Sequence, residues 1–207
     1  MTTKTYYLPR PRASLEPCSD IDLVTKCMNE LGVSDPWNVV LAYLHTMPPH
    51  AVPSVEMVAV DCLEPAQSRV KVYFRYHDNN LDTIIQHSTL GGTVDDLISQ
   101  NTTSSLRELW GFLFPGVRSY EGLSLPNPLR PPGPGFLIYH EMRLGSSSLD
   151  SKVYIPVRQY CPHDAQIAQA ISQYMKSTGV NAAERYAEDL QNTLYVAFDI
   201  IIVSGFG

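Results

Sequence analysis

Lysine or arginine and tyrosine recur two residues apart in three strand-like runs: Lys4-Thr5-Tyr6, Arg69-Val70-Lys71-Val72-Tyr73 and Lys152-Val153-Tyr154. Alternate residues of a strand share one face, so Arg69, Lys71, Tyr73 and Arg75 stand in one row while Val70, Val72 and Phe74 line the other. Such a strand packs its apolar face on helices and points its cations at whatever the other side of the sheet encloses. An enclosed ligand would be an anion, with aromatic rings beside it. On one strand alone the row reads first as a solvated sheet face, the usual place for alternating charges. Recurrence on three strands favours the anion site.

Proton transfer needs a carboxylate or imidazole within reach of the reacting group. Glu56, Asp61, His140 and Glu141 lie on strands, and Glu56 and Glu141, being mid-strand, are the first candidates for a catalytic base. Turn acids and hairpin salt bridges are the commoner use of the same residues. Cys18, Cys27, Cys62 and Cys161 form no CxxC pair and no Cys/His cluster at zinc spacing, so they read as four isolated thiols and no metal site is expected. Trp37 and Trp110 have leucine neighbours on helices and read as packing residues. Gly91-Gly92 lacks the lysine of a phosphate-binding loop and reads as a helix C-cap, while His163-Asp164 reads as a helix start.

The elements that must position these residues follow from periodicity. At 207 residues, 44% hydrophobic and 10% aromatic, the chain is an ordinary folded protein, expected as a single domain over 1–207. Its net charge of -6 argues against nucleic-acid or anionic-membrane partners, so the cations that matter are local. Without a signal-like or membrane-length apolar run, the expected location is the cytoplasm. A strand near Lys4–Leu8 ends at Pro9 and Pro11; helices follow near Ile21–Leu31 and Trp37–Leu44. Val52–Asp61 and Arg69–Tyr76 read as a hairpin, and Leu81–His87 and Leu106–Leu113 as helices separated by turn-rich Leu90-Gly-Gly-Thr and Asn101-Thr-Thr-Ser. A Pro/Gly connection spans Pro126–Pro134. Phe136–Met142 and Lys152–Val157 form a second hairpin, helices run over Asp164–Met175 and Asn181–Gln191, and Leu194–Val203 is a terminal β-rich run. A repeating ααββ unit predicts an α+β fold: an antiparallel sheet of about six strands, curled so that one face lines a cavity, with three helix pairs outside.

Ser68-Arg-Val-Lys-Val-Tyr-Phe-Arg75, Leu106-Arg-Glu-Leu-Trp110, Pro128-Leu-Arg-Pro131 and Lys152-Val-Tyr-Ile-Pro-Val-Arg-Gln-Tyr-Cys-Pro-His-Asp-Ala165 resemble fungal aromatic prenyltransferases of the dimethylallyltryptophan synthase type. The resemblance spans nearly the whole sequence but only the C-terminal half of such an enzyme. It implies a PT barrel, an antiparallel barrel of ααββ repeats that is incomplete in this chain. It further implies that Lys4, Arg69, Lys71 and Lys152 hold the diphosphate of dimethylallyl diphosphate, while Tyr6, Tyr73, Tyr154 and Tyr195 screen the allyl cation. Ionising an allylic diphosphate needs its leaving charge neutralised by preorganised donors, and rings stabilise the cation while excluding water. Asp95-Asp96 lacks the second half of an Asp-rich magnesium motif, so no cofactor is expected.

The family's own carboxylate base and first diphosphate-binding arginine fall in the half not represented here. The activity that the resemblance implies is metal-independent prenyl transfer to an indole or other aromatic acceptor in fungal alkaloid metabolism. The expected partner is a barrel-completing chain, in a homodimer or hetero-oligomer. The alternatives are a repurposed cyclase or other biosynthetic enzyme without prenyl transfer, and a non-catalytic partner subunit.

Overall fold

Five strands are hydrogen-bonded side by side in the order β1 (Lys4–Tyr7), β2 (Ser54–Asp61), β3 (Arg69–Tyr76), β4 (Phe136–Arg143) and β5 (Asp150–Tyr154), every neighbour antiparallel. This computed structural model describes residues 3–93, 97–125, 135–190 and 192–193. The described strands form an open sheet with β1 and β5 as its edges, five of the about six strands expected. The sixth strand expected at Leu194–Val203 lies outside the described residues, as do Tyr195, Asp95-Asp96 and the Pro126–Pro134 connection.

The helices are α1 (Pro9–Ala13), α2 (Asp20–Glu30), α3 (Ser34–Leu44), α4 (Leu81–Ser88), α5 (Leu97–Leu113), α6 (Val157–Tyr160) and α7 (Asp164–Ser177), with residues 183–190 also helical. Pro9 ends β1 and opens α1, because proline suits a first helical turn where no N–H bond is needed. Ser19 caps α2 in a reciprocal bond pattern with Asp22, and His163 caps α7 by accepting from the Gln166 amide. Asn101-Thr-Thr-Ser, expected as a turn, lies inside α5. Poor intrinsic propensity is overridden there by tertiary packing, since α5 packs along α7 and buries Trp110 and Leu113. Val157, expected in β5, instead begins α6.

Helices cover one face of the sheet. Val24, Met28, Trp37 and Val40 from α2 and α3 meet Val55, Val58, Val70, Val72, Phe74, Phe136, Ile138 and Met142 from the strands in one core. Trp37 and Trp110 belong to this core, as expected from their neighbours. His140 alternates with Glu141 along β4 and therefore also faces the helices. It is fully buried, bonded to Ser151, and burial with nearby His87 pushes its imidazole down to about 3.

A polar chain ties the helix layer together. Asp78 accepts from His87 Nε2 (3.1 Å), which leaves Nδ1 as the acceptor for the Tyr43 hydroxyl at 2.6 Å, with Tyr76 stacked on the imidazole at 4.0 Å. Tyr43→Phe should leave the buried Nδ1 without a donor and lower stability by about 1–2 kcal/mol. Urea unfolding measures this; an unchanged midpoint would mean that water replaces the hydroxyl.

Candidate functional site

The face of the sheet turned away from the helices carries every residue of the cationic rows that lies on a described strand. Cross-strand register makes the face continuous: Lys4 is opposite Asp61, Tyr6 opposite Ala59, and Ala59 opposite Lys71; Lys71 is then opposite Glu141, Tyr73 opposite Tyr139, and Tyr139 opposite Lys152. Directly paired residues of an antiparallel ladder point to the same side, so these form one surface across five strands.

A β-bulge in β2 makes this alignment possible. Val55 pairs with Phe74, but the next pair is Met57 with Tyr73, leaving Glu56 as the extra residue. The Val55 amide is held by Asp20 from the start of α2, at 2.8 Å. Because the bulge shifts the alternation by one, Val55 and Val58 both face the core while Ala59 and Asp61 align with the cations. Without it, strict period-two alternation from Val55 would send Asp61 into the helix layer.

The cations are joined by carboxylates. Arg69 Nε donates to Asp61, and Lys4 lies 3.8 Å from the same carboxylate. Glu141 receives Lys71 (3.2 Å), Arg143 (3.0 Å) and Arg69 (3.7 Å). Lys71 and Glu141 are each only 6% exposed and Asp61 2%, so this is a partly dry network rather than a solvated fringe. Glu56 belongs to a second cluster, with Arg75 at 3.5 Å and Arg10 at 3.3 Å. Both strand glutamates considered as proton acceptors thus lie on the cationic face with oxygens already engaged by cations. Asp61 is likewise engaged, while His140 faces the other way.

Three tyrosine rings stand beside the network: Tyr73 is 5.0 Å from Tyr139 and 6.3 Å from Tyr154, and Tyr139 is 6.1 Å from Tyr154. The Lys71 ammonium sits 4.9 Å from the Tyr139 ring centre, and Lys152 lies 5.9 Å from that of Tyr154. Tyr6, on edge strand β1, is 54% exposed. Tyr139 and Arg143 were not singled out in the sequence. Tyr139 stands beside His140 and Arg143 at a strand end, so neither shows the cation-x-tyrosine spacing; period-two counting from Glu141 would have found both.

Electrostatics favour the charged forms of Asp61, Lys71 and Arg69. Burial alone would raise the Asp61 carboxyl, yet the hydrogen bond and charge of Arg69, with Lys4 and Lys71, hold it below its usual range. Burial would lower the Lys71 ammonium, but its hydrogen bond and charge pairing with Glu141 carry it above the ordinary lysine value. The hydrogen bond to Asp61 and the charge of Glu141 raise Arg69 further. Burial, reinforced by Tyr154 and Tyr6, pushes the Tyr73 hydroxyl well above the usual phenol value, so it stays neutral.

Because the folded Asp61 value lies below the unfolded one, its stabilisation is present above the unfolded carboxyl pKa and is lost as pH falls through the lower, folded value. The melting-temperature difference between the chain and Asp61→Asn should therefore persist into mild acid. It should shrink only below the ordinary carboxylate range, about pH 4. Thermal melts at stepped pH check this, and a difference that vanishes near neutrality would contradict it.

Such a surface can take a polyanion on fixed ammonium and guanidinium donors and hold a cation against π faces. A family profile described as tryptophan dimethylallyltransferase matches residues 1–189. The chain is 34% identical over 186 residues to 4-O-dimethylallyl-L-tyrosine synthase of Claviceps purpurea, covering 86% of this chain and 41% of that protein. It is 29% identical over 200 residues to a 7-dimethylallyltryptophan synthase of Aspergillus fumigatus, covering 93% and 42%. Among solved structures, the fold is similar to AnaPT from Neosartorya fischeri (TM-score 0.74, 21% identity, 91% of this chain and 44% of that one). It is also similar to 6-dimethylallyltryptophan synthase from Micromonospora olivasterospora in complex with DMASPP and Trp (TM-score 0.65, 17% identity, 90% and 48%). The chain thus spans less than half the length of these relatives.

Proposed function

Since this chain belongs to the tryptophan dimethylallyltransferase family, we propose that its cationic face receives the diphosphate of dimethylallyl diphosphate for prenyl transfer to an aromatic acceptor. The observation that carries this reading is the continuous face built by Lys4, Arg69, Lys71 and Lys152 with Tyr73, Tyr139 and Tyr154. A row of isolated surface charges would not bury Lys71 beside a tyrosine ring.

In this reading, the ammonium and guanidinium groups neutralise the diphosphate as its C–O bond breaks, releasing pyrophosphate and an allyl cation. They take the part that magnesium bridged by Asp-rich motifs has in metal-dependent transfer, which makes the reaction metal-independent. The tyrosine rings stabilise the cation and keep water from quenching it. The acceptor attacks the cation carbon through a ring carbon, then losing that carbon's proton to a base, or through a phenol oxygen, then losing the hydroxyl proton to it. Glu56, more accessible than Glu141, is the strand carboxylate offered for that proton. Two relatives are named for dimethylallyl-tyrosine and dimethylallyl-tryptophan, so tyrosine and tryptophan are the first acceptors to try. Among the described residues the sheet has two open edges, and an enclosed reaction chamber calls for further strands. They would come from a second copy, a separate polypeptide or further sequence joined to this one.

The test is incubation with dimethylallyl diphosphate and tyrosine or tryptophan, with and without chelator, followed by mass spectrometry for a prenylated product. Calorimetry with pyrophosphate accompanies it. Product formation that survives chelation is the expected result; failure to bind pyrophosphate would sink the reading. The engagement of Glu56 and Glu141 in ion pairs favours a second reading, a family scaffold that binds the diphosphate without transferring the prenyl group. That reading expects pyrophosphate binding without product.

A further inference from the structure

An anion site built to neutralise a diphosphate has no evident need for carboxylates, yet two of the most deeply buried polar groups on this face are Asp61 and Glu141. Together they engage Lys4, Arg69, Lys71 and Arg143: four cations against two carboxylates, a formal surplus of two positive charges. Glu141 is the centre of the arrangement. It lies directly across the β3–β4 ladder from Lys71, with Oε1 on Arg143 and Oε2 on Lys71 and Arg69.

Two physical problems meet at this position. Buried cations without counter-charge are costly in an empty site, and Lys71 has little access to water. A site with four unopposed cations would also hold pyrophosphate hard after the reaction, and slow product release limits many enzymes.

Resting on the diphosphate reading above, we infer that Glu141, with Asp61, is a built-in counter-anion: it holds the cations in place while the site is empty and competes for them when it is filled. An arriving diphosphate shares Lys71, Arg69 and Lys4 with the carboxylates instead of finding them free. Departing pyrophosphate leaves behind cations whose partners are already in place. Both residues are positioning residues here, acting through Lys71, Arg69 and Lys4 rather than on substrate.

The experiment is isothermal calorimetry of inorganic pyrophosphate with the unaltered chain, with Glu141→Gln and with Asp61→Asn, each checked for native circular dichroism. Gln and Asn keep the shape and one acceptor oxygen but remove the competing charge. Pyrophosphate affinity is expected to rise by about tenfold in Glu141→Gln, because a like charge a few ångströms from the anion has been deleted. Asp61→Asn should shift it in the same direction, and either variant suffices if the other does not fold. In turnover assays the same variants should lower the KM for the diphosphate together with kcat, a parallel fall that mere loss of packing does not produce. Equal or weaker pyrophosphate binding by the folded variants overturns the inference while leaving the diphosphate reading intact, provided the unaltered chain binds. If neither the chain nor the variants bind, both fall.

Discussion

Lys71→Met is expected to cost at least about 100-fold in pyrophosphate affinity while leaving the fold intact. Lys71 is the most buried of the face's lysines, held by Glu141 at 3.2 Å and lying 4.9 Å from the centre of the Tyr139 ring. Its ammonium is therefore already desolvated and aimed, and little reorganisation is needed to meet a phosphate oxygen. Methionine keeps the length and apolar character of the stem. The carboxylate left behind still has Arg143 at 3.0 Å and Arg69 at 3.7 Å, so no buried charge is orphaned. Arg69 is a poorer test: removing it takes from buried Asp61 its hydrogen-bonded cation, leaves Lys4 at 3.8 Å, and confounds binding with stability. Calorimetry beside a urea melt separates the two effects. An unchanged affinity would mean that the anion, if it binds, does so elsewhere.

Trp37→Ala is expected to destabilise the chain by about 3–5 kcal/mol, a large share of the stability of any single domain. The indole is fully buried between α2, α3 and the sheet. It stacks on Phe74 at 6.2 Å with planes 10° apart, and its N–H donates to Thr25 at 3.0 Å. Three losses coincide on truncation: the transfer energy of the largest side chain in the core, the cavity left beneath β3, and the support for the Phe74 side of the strand. That last loss links stability to the site, because Tyr73 and Phe74 leave the same stretch of backbone in opposite directions. Thermal and urea unfolding measure the effect, and a change below about 1 kcal/mol would show that the helices and sheet collapse onto the gap.

The inverted strand at Arg69–Tyr76 was legible in the sequence because the side-chain period of a strand is two and every apolar residue in it falls on one parity. Its observed bounds match the expected ones. The helix pairs were legible for the same reason at a period of 3.6, except where serine and threonine hid the first half of α5. The family resemblance rested on the local strings around these strands, and the matched span of 1–189 bears it out. Less legible was the partner set of each cation. Lys71 and Glu141 are separated by a long connection that contains α4 and α5, so no tight turn fixes how β3 aligns with β4, and only the packed core decides which residues face each other.

Composition and spacing determined that a cationic, tyrosine-bearing sheet face exists and that helices must cover its reverse, since alternation assigns residues to faces before any partner is known. Which charges meet across that face was decided by tertiary structure alone. The bulge at Glu56 brings Asp61 onto the cationic side, and the β3–β4 register sets Glu141 against Lys71 and Tyr139 against Tyr73. The physical reason is that periodicity acts within a strand, whereas register is chosen by the burial of side chains distant in sequence. A shift of one residue in either would exchange an ion-pair network for buried, unpaired charges.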